Sequence, residues 1–302
     1  MSRPRALIVG WGSIGKQHAA SLAELGYDCA SVSKQDTPLP RFGTVDEALK
    51  IFDPDYAVVA TPTSEHLNTV SQLARAQFRG RVLVEKPLFD RIESFPEHNF
   101  STIGVGYQLR FHPVLMYLKE QLTDQRILSC HCYVGQYLPD WRPNSDYRRS
   151  YSASRAKGGG VLRDLSHELD YLLWMFGAVG IIKAVGGKFS TLEIDSEDTV
   201  GLTCSFDRCP VATIQLNYCD RIGRRELVVT TDMATYVADL RNYTLAKSGE
   251  AVRSFPPEPL LNQLHLSLTE SAPKHFCTLE EAMAVLTFIN EVDKQLYCES
   301  DK

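Results

Sequence analysis

The sequence predicts an α/β protein: a doubly wound parallel sheet, followed by an α+β domain with an open, mostly antiparallel sheet. Three observations carry that prediction. The first hundred residues alternate short β-rich apolar runs with helix-like stretches. A glycine-rich turn follows the first run, and from about residue 125 the runs lengthen and alternate polar with apolar residues. In the first part, strands are predicted at Arg5–Val9, Asp28–Ser33, Tyr56–Ala60, Arg81–Val84 and Thr102–Val105. Helices are predicted at Ser13–Glu24, Val45–Lys50 and His66–Ala76, the last led in by Thr63-Ser64-Glu65, where Thr63 or Ser64 can cap. Right-handed crossovers join the strands. In the second part, strands are predicted at Leu128–Tyr133, Ile181–Phe189, Thr199–Phe206, Val211–Tyr218, Glu226–Thr231 and Thr235–Leu240. One helix near Gly160–Phe176 interrupts them and another near Leu279–Leu296 closes the chain. The domains are expected at 1–115 and 116–302.

With 302 residues, 44% of them apolar, the chain has material for two buried cores. Its 19 Gly and 15 Pro are ordinary usage, which excludes collagen-like and low-complexity readings. A net charge of −5 gives no global basic field to draw the protein onto nucleic acid or an anionic membrane. The apolar stretch after Met1-Ser2-Arg3-Pro4-Arg5 is too short for a secretion signal, and no apolar run is long enough to span a bilayer, so a cytoplasmic location is expected. The eight cysteines lack the paired C-x2-C spacing of zinc sites and are expected to be reduced thiols, with no metal. Cys130 and Cys132 share one face of a strand.

Gly10-Trp11-Gly12-Ser13-Ile14-Gly15 fills G-x-G-x-x-G between a strand and a helix. Gly10 permits the tight turn, Gly12 lets a pyrophosphate approach the backbone, and Gly15 lets helix and strand pack closely. The helix N-terminus supplies donors and partial positive charge. This is the dinucleotide-binding pattern of a Rossmann domain. The end of the second strand, where NAD-preferring folds place an acid on the ribose, reads Ser31-Val32-Ser33-Lys34-Gln35. Ser33 and Lys34 suit a 2′-phosphate, which favours NADP(H), while Asp36 just beyond keeps NAD(H) open. At the carboxyl end of the fourth strand stands Val84-Glu85-Lys86-Pro87-Leu88, where Lys86 can donate to a substrate hydroxyl or carbonyl. Gly158-Gly159-Gly160 feeds a helix on which Arg163, Asp164, His167 and Asp170 recur at helical steps and share a face. His167 titrates nearest neutrality, and Asp164 one turn away can orient it.

Together with Gly10 through His18, Ala60-Thr61-Pro62-Thr63 and His66, Glu85-Lys86-Pro87, Gly106-Tyr107-Gln108-Leu109-Arg110-Phe111-His112-Pro113 and His167-x-x-Asp170, the chain resembles the Gfo/Idh/MocA family of NAD(P)-dependent oxidoreductases. The resemblance runs over nearly the full length. It implies a Rossmann domain followed by a domain whose open, mostly antiparallel sheet packs substrate against the nicotinamide or mediates assembly into homodimers or homotetramers. It implies sugar, cyclitol or related polyol substrates, with Lys86 on the reacting oxygen and His167 as acid/base. It adds Thr61, Pro62, His66, Glu85 and Lys86 to the cofactor contacts and Arg110 to the substrate contacts. The family's aspartate four residues before the histidine is replaced here by Arg163, so Asp164 takes over its orienting role or Arg163 binds an anionic substrate group. The segment Tyr137-Leu138-Pro139-Asp140-Trp141-Arg142-Pro143 resembles a branch associated with bacterial surface-carbohydrate biosynthesis.

From Trp141 to Lys157, Arg142, Arg148, Arg149, Arg155 and Lys157 stand against Asp146 alone. Guanidinium groups there can hold a carboxylate or phosphate, and Trp141, Tyr147 and Tyr151 offer faces for a sugar ring. An acidic or nucleotide-linked sugar fits that composition, and nucleic acid does not fit the net charge. The expected activity is hydride transfer between the nicotinamide and a carbinol or carbonyl carbon. Two other readings share the fold: a catalytically silent NAD(P)-binding regulator, and a redox-neutral epimerase or glycosidase with tightly bound cofactor.

Overall fold

A parallel strand covered by helices on both faces has no solvent side, so its residues are apolar throughout. The computed structural model, which describes residues 3–141, 146–269 and 275–298, shows this in its N-terminal sheet. The elements there are β1 (Arg5–Val9), α1 (Ser13–Glu24), β2 (Asp28–Val32), β3 (Arg41–Phe42), α2 (Val45–Phe52), β4 (Tyr56–Val59), α3 (His66–Arg75), β5 (Arg81–Val84) and β6 (Thr102–Val105). All four residues of β4 are buried, as are the last four of β1. The strands run parallel in the order β3-β2-β1-β4-β5-β6, the doubly wound arrangement expected. Neither Thr63 nor Ser64 caps α3; residues 63–65 form a 3-10 turn that runs straight into the helix. The two-residue β3 lacked a sequence signal because it is too short to show a period.

The next elements are α4 (Pro113–Gln121), with proline in its first turn, and β7 (Ile127–Gly135). Four short 3-10 turns occupy Leu138–Trp141, Tyr147–Arg149, Tyr151–Ala153 and Arg155–Lys157. After them come α5 (Val161–Asp164), α6 (His167–Phe176), β8 (Val179–Gly187), β9 (Thr199–Phe206), β10 (Cys209–Asn217), β11 (Arg224–Thr231), β12 (Thr235–Asp239), β13 (Thr244–Lys247) and β14 (Arg253–Ser254). The strands form one sheet in the order β14-β13-β12-β11-β7-β10-β9-β8. Every pairing is antiparallel except β7 with β10, which is parallel, so the sheet is mostly antiparallel, as expected.

One face of that sheet carries Val200, Leu202, Cys204 and Phe206 inward, with Phe206 packed between Phe176 of α6 and Phe288. The other face is open and carries His131, Thr213, Lys183 and the exposed Ile181, Val185, Val211 and Val237. Cys130 and Cys132 share the inward face, as the strand period requires, and both are buried free thiols.

The predicted helix 160–176 is two helices. Each is docked by its own contacts: the Leu162 N–H of α5 donates to the Glu197 carboxylate, while Glu168 and Asp170 of α6 face Arg225 and Arg110. Tertiary docking of two short segments outweighs propagation of one helix across Leu165 and Ser166. The chain closes with α7 (Leu260–Thr269) and α8 (Leu279–Cys298). The compact units do not follow one cut at 115/116. One comprises Met1–Gln108 with Pro259–Met283, the other Leu109–Glu258 with Ala284–Lys302, and α7 belongs to the first.

Candidate functional site

The glycine turn is explained residue by residue. Gly10 has φ +105°, and a Cβ there would stand 2.5 Å from the Ala60 carbonyl oxygen. A Cβ on Gly15 would stand on the Gly10 carbonyl oxygen, so helix α1 packs on β1 only without it. Gly12 is the reverse case: no atom lies within 4 Å of where its Cβ would be. It is also the N-cap of α1, with no side-chain cap and no acid in the first turn. Open space in front of uncapped helix N–H groups fits the pyrophosphate of a dinucleotide. Beside it, Trp11 is buried, Ser13 exposed and Ile14 half-buried.

At the end of β2, Ser33 is half-buried and its Oγ accepts from the Gln35 N–H at 2.9 Å, while Lys34 is exposed. The Asp36 carboxylate points outward and faces Arg41 at 3.6 Å.

Thr61, Pro62, Glu85 and Lys86 follow β4 and β5 at the same carboxyl edge. His66, expected among the cofactor contacts, has both ring nitrogens against backbone carbonyls. Its Nε2 meets the Thr61 carbonyl at 3.0 Å, and its Nδ1 meets those of Pro87 and Leu88 at 3.1 Å. With 1% exposure the ring ties the two edge loops together, and burial pulls its pKa down against those carbonyls. Lys86 is half-buried, and the peptide bond to Pro87 is cis. Glu85 is buried: Oε1 faces His18 Nε2 at 2.9 Å, and Oε2 accepts the Lys86 N–H at 3.1 Å. Burial alone would push this carboxyl up, but His18 and Lys86 hold it below the ordinary carboxylate range.

The second unit places the remaining predicted residues. Asp164 ends α5 and accepts from the Tyr218 hydroxyl at 2.6 Å, and Trp141 meets the Tyr218 ring edge-on at 5.3 Å. His167 opens α6 and is 8% exposed. The polar stripe expected on one helix is therefore divided between two.

The arginines face carboxylates. Arg110, expected among the substrate contacts, holds Asp170 through hydrogen bonds of 2.7–3.1 Å with both side chains 1% exposed. Arg163 pairs with Asp293 of α8 at 2.6 Å, and Arg148 with both Asp146 and Glu193, at 2.8 and 2.9 Å. Within the basic segment, Arg148 is met by a carboxylate 45 positions away as well as by its neighbour Asp146. Tyr147 accepts the Glu193 N–H through its hydroxyl, and Arg142 lies outside the described residues. Sequence reasoning missed the pair of buried Glu168 with half-buried Arg225 at 2.8 Å, and assigned no role to His18. Among the described residues no three His, Cys, Asp or Glu side chains gather as a metal site, and no helix is long and apolar enough to cross a membrane.

Comparison with known proteins points one way. The profile of an oxidoreductase family with an NAD-binding Rossmann fold matches residues 4–99, and that of the GFO/IDH/MocA C-terminal domain matches residues 118–247. The chain is 26% identical over 199 residues to the rhizopine catabolism protein MocA of Rhizobium meliloti, covering 59% of this chain and 58% of that protein. It is 26% identical over 209 residues to the levoglucosan dehydrogenase of Pseudarthrobacter phenanthrenivorans, covering 59% and 52%. The matches thus span little more than half the length of these relatives. Its fold is that of the UDP-N-acetylglucosamine 3-dehydrogenase of Acidithiobacillus ferrooxidans, with TM-score 0.80, 18% identity and 99% of both chains covered. It is also that of the WlbA dehydrogenase of Bordetella pertussis, solved with NADH and UDP-GlcNAcA, with TM-score 0.80, 16% identity and 98% and 96% covered.

Proposed function

The chain belongs to the Gfo/Idh/MocA family of NAD-binding oxidoreductases, and on that premise we propose that it moves a hydride between a nicotinamide cofactor and a carbinol or carbonyl carbon of a sugar, sugar acid or nucleotide-sugar. One observation carries the reading: the glycine turn after β1 and Lys86 after β5 stand at the same carboxyl edge of one parallel sheet, where doubly wound folds take their ligands. When bound, the nicotinamide supplies the hydride acceptor in one direction and the donor in the other.

The residues handle the oxygen and the proton. Lys86 donates to the reacting oxygen and steadies the negative charge that develops there. His167 takes the hydroxyl proton in the oxidative direction and returns it in the reductive one. Asp164 takes the orienting role left by the substitution at Arg163. The names of a relative, the levoglucosan dehydrogenase, and of a structural neighbour, the UDP-N-acetylglucosamine 3-dehydrogenase, support a carbohydrate-type substrate. With Arg110, Arg148 and Arg163 paired to carboxylates, that reading rests on the aromatic faces of Trp141 and Tyr147 rather than on an anion cradle.

Ser33 and Lys34 at the end of β2 favour NADP(H). Fluorescence titration with NADPH and NADH, in wild type and Lys34→Ala, is the test. The expected result is a preference for NADPH of about tenfold that Lys34→Ala removes. A preference for NADH retires Lys34 as a phosphate contact, and binding of neither by folded protein sinks the oxidoreductase reading.

A further inference from the structure

Inside the first unit, four buried ionisable side chains from four separate places in the sequence stand in one line. The Tyr56 hydroxyl at the start of β4 meets His265 Nδ1 of α7 at 2.9 Å, His265 Nε2 meets His18 Nδ1 of α1 at 3.0 Å, and His18 Nε2 meets Glu85 Oε1 at 2.9 Å. Tyr56, His18 and His265 have no exposure and Glu85 has 8%. The rings meet edge to face, His18 on His265 at 5.0 Å between centroids and Tyr56 on His265 at 5.6 Å. Gly106 leaves room for the end of the line, since a Cβ there would stand 2.6 Å from Glu85 Oε1.

A buried polar line is an expensive way to fill a core, because each unsatisfied member costs about 1–3 kcal/mol and leucine would pack without that risk. Its direction follows from the chemistry of its ends. The Tyr56 hydroxyl is pushed well above its ordinary value by burial and keeps its proton. His265 is pulled well below its own by burial and stays neutral, while Glu85 stays ionised. Tyr56 therefore donates to His265 Nδ1, His265 Nε2–H donates to His18 Nδ1, and His18 Nε2–H donates to Glu85. The reverse direction would leave the Tyr56 proton with no acceptor in the line. Only the forward arrangement satisfies every member, and it leaves Glu85 Oε2 for the Lys86 N–H.

We propose that His265 and Tyr56 are positioning residues for Lys86: they fix the tautomer and ring plane of His18, which holds Glu85 so that the lysine leaves β5 in one orientation beside a fixed negative charge. The proposal deepens the reading of Lys86 as the group on the reacting oxygen and rests on it. The hydrogen bonds of both residues run along this line towards Glu85, so the expected effect falls on Lys86 and not on cofactor affinity.

The test uses the full chain with His265→Leu, His265→Gln and Tyr56→Phe. Lysines are dimethylated with a 13C label, the Lys86 signal is identified by its loss in Lys86→Arg, and its titration midpoint is read by NMR. Affinity for NADH and turnover with UDP-N-acetylglucosamine and levoglucosan as probe sugars are measured alongside. In His265→Leu the Lys86 midpoint should move by about half a unit or more and kcat should fall about tenfold, with the NADH Kd within about threefold. His265→Gln, whose amide can accept from Tyr56 and donate to His18, should restore both. Tyr56→Phe should shift the midpoint in the same direction by less, and it carries the test if His265→Leu does not fold. A Lys86 midpoint unchanged in His265→Leu and Tyr56→Phe, in protein that binds NADH, overturns the proposal. Absence of turnover by wild type with any sugar, while the midpoint still moves, overturns the function proposed for Lys86 and leaves the positioning line standing.

Discussion

A guanidinium is defined by what faces it, and the arginines of this chain show how far that partner can lie. Arg110 and Asp170 are sixty positions apart in sequence and pair with 1% exposure each. Breaking such a buried pair by removing one partner costs about 3–5 kcal/mol, because the other charge is stranded. Lys86 is half-buried at the carboxyl edge of the parallel sheet, and its loss should be felt in chemistry rather than in folding. Lys86→Ala is expected to lower kcat by about a hundredfold or more while leaving the cofactor Kd within about threefold. An unchanged kcat would remove Lys86 from the reaction. His167→Asn should erase the main pH-dependent limb of kcat, and survival of that limb would assign the proton to another group.

Helix α1 and its glycine turn make a sharper prediction at the scale of the element, because two of its glycines are glycine for different reasons. A methyl group on Gly15 is driven into the backbone of Gly10, which cannot yield, whereas one on Gly12 meets nothing and sits at φ −75°. Gly15→Ala should therefore destabilise the protein by about 1–3 kcal/mol. Gly12→Ala should leave stability within about 0.5 kcal/mol and weaken NADH binding tenfold or more, since its methyl occupies the approach to the helix N-terminus. Thermal unfolding and NADH titration of the two variants check this, and equal losses of stability would refute it. The same scale explains why one predicted helix became two. Residues 161–176 have continuous helical potential, but Glu197 fastens α5 while Arg110 and Arg225 fasten α6, and such partners leave no local trace.

For the whole molecule, buried histidines set how stability responds to acid. His66, His112 and His265 are buried and all three are pulled down, mainly by burial, His112 to about 4. An unfolded histidine takes up its proton near 6.5, so below that pH the unfolded chain binds protons that the native protein refuses. Stability from these groups is fully present above about pH 6.5 and is lost as pH falls towards the folded values. For His112 alone the loss between pH 7 and pH 4 is on the order of 3 kcal/mol. Glu197, raised by burial, works the other way and recovers part of it. Urea unfolding at pH 7 and pH 4.5 should show a falling midpoint in wild type and a shallower fall in His112→Asn; parallel behaviour of the two would sink the assignment.

The strand–turn–helix at Gly10–Gly15 was legible in the sequence because its physics is local: the turn, the close packing and the helix end all lie within six residues of one another. The parallel and the mostly antiparallel sheets were legible for the same reason, since continuous burial and alternation are written along each strand. Lys86 and His167 stood out by residue type and place within such elements. Tertiary structure alone decided which charges are spent, because Arg163 finds Asp293 and Arg148 finds Glu193 only after folding. It alone returned α7 to the first unit and set His265 against His18, 247 positions away, on the line that ends beside Lys86. Periodicity reports which face of an element is buried, and the partner waiting there is chosen by the fold.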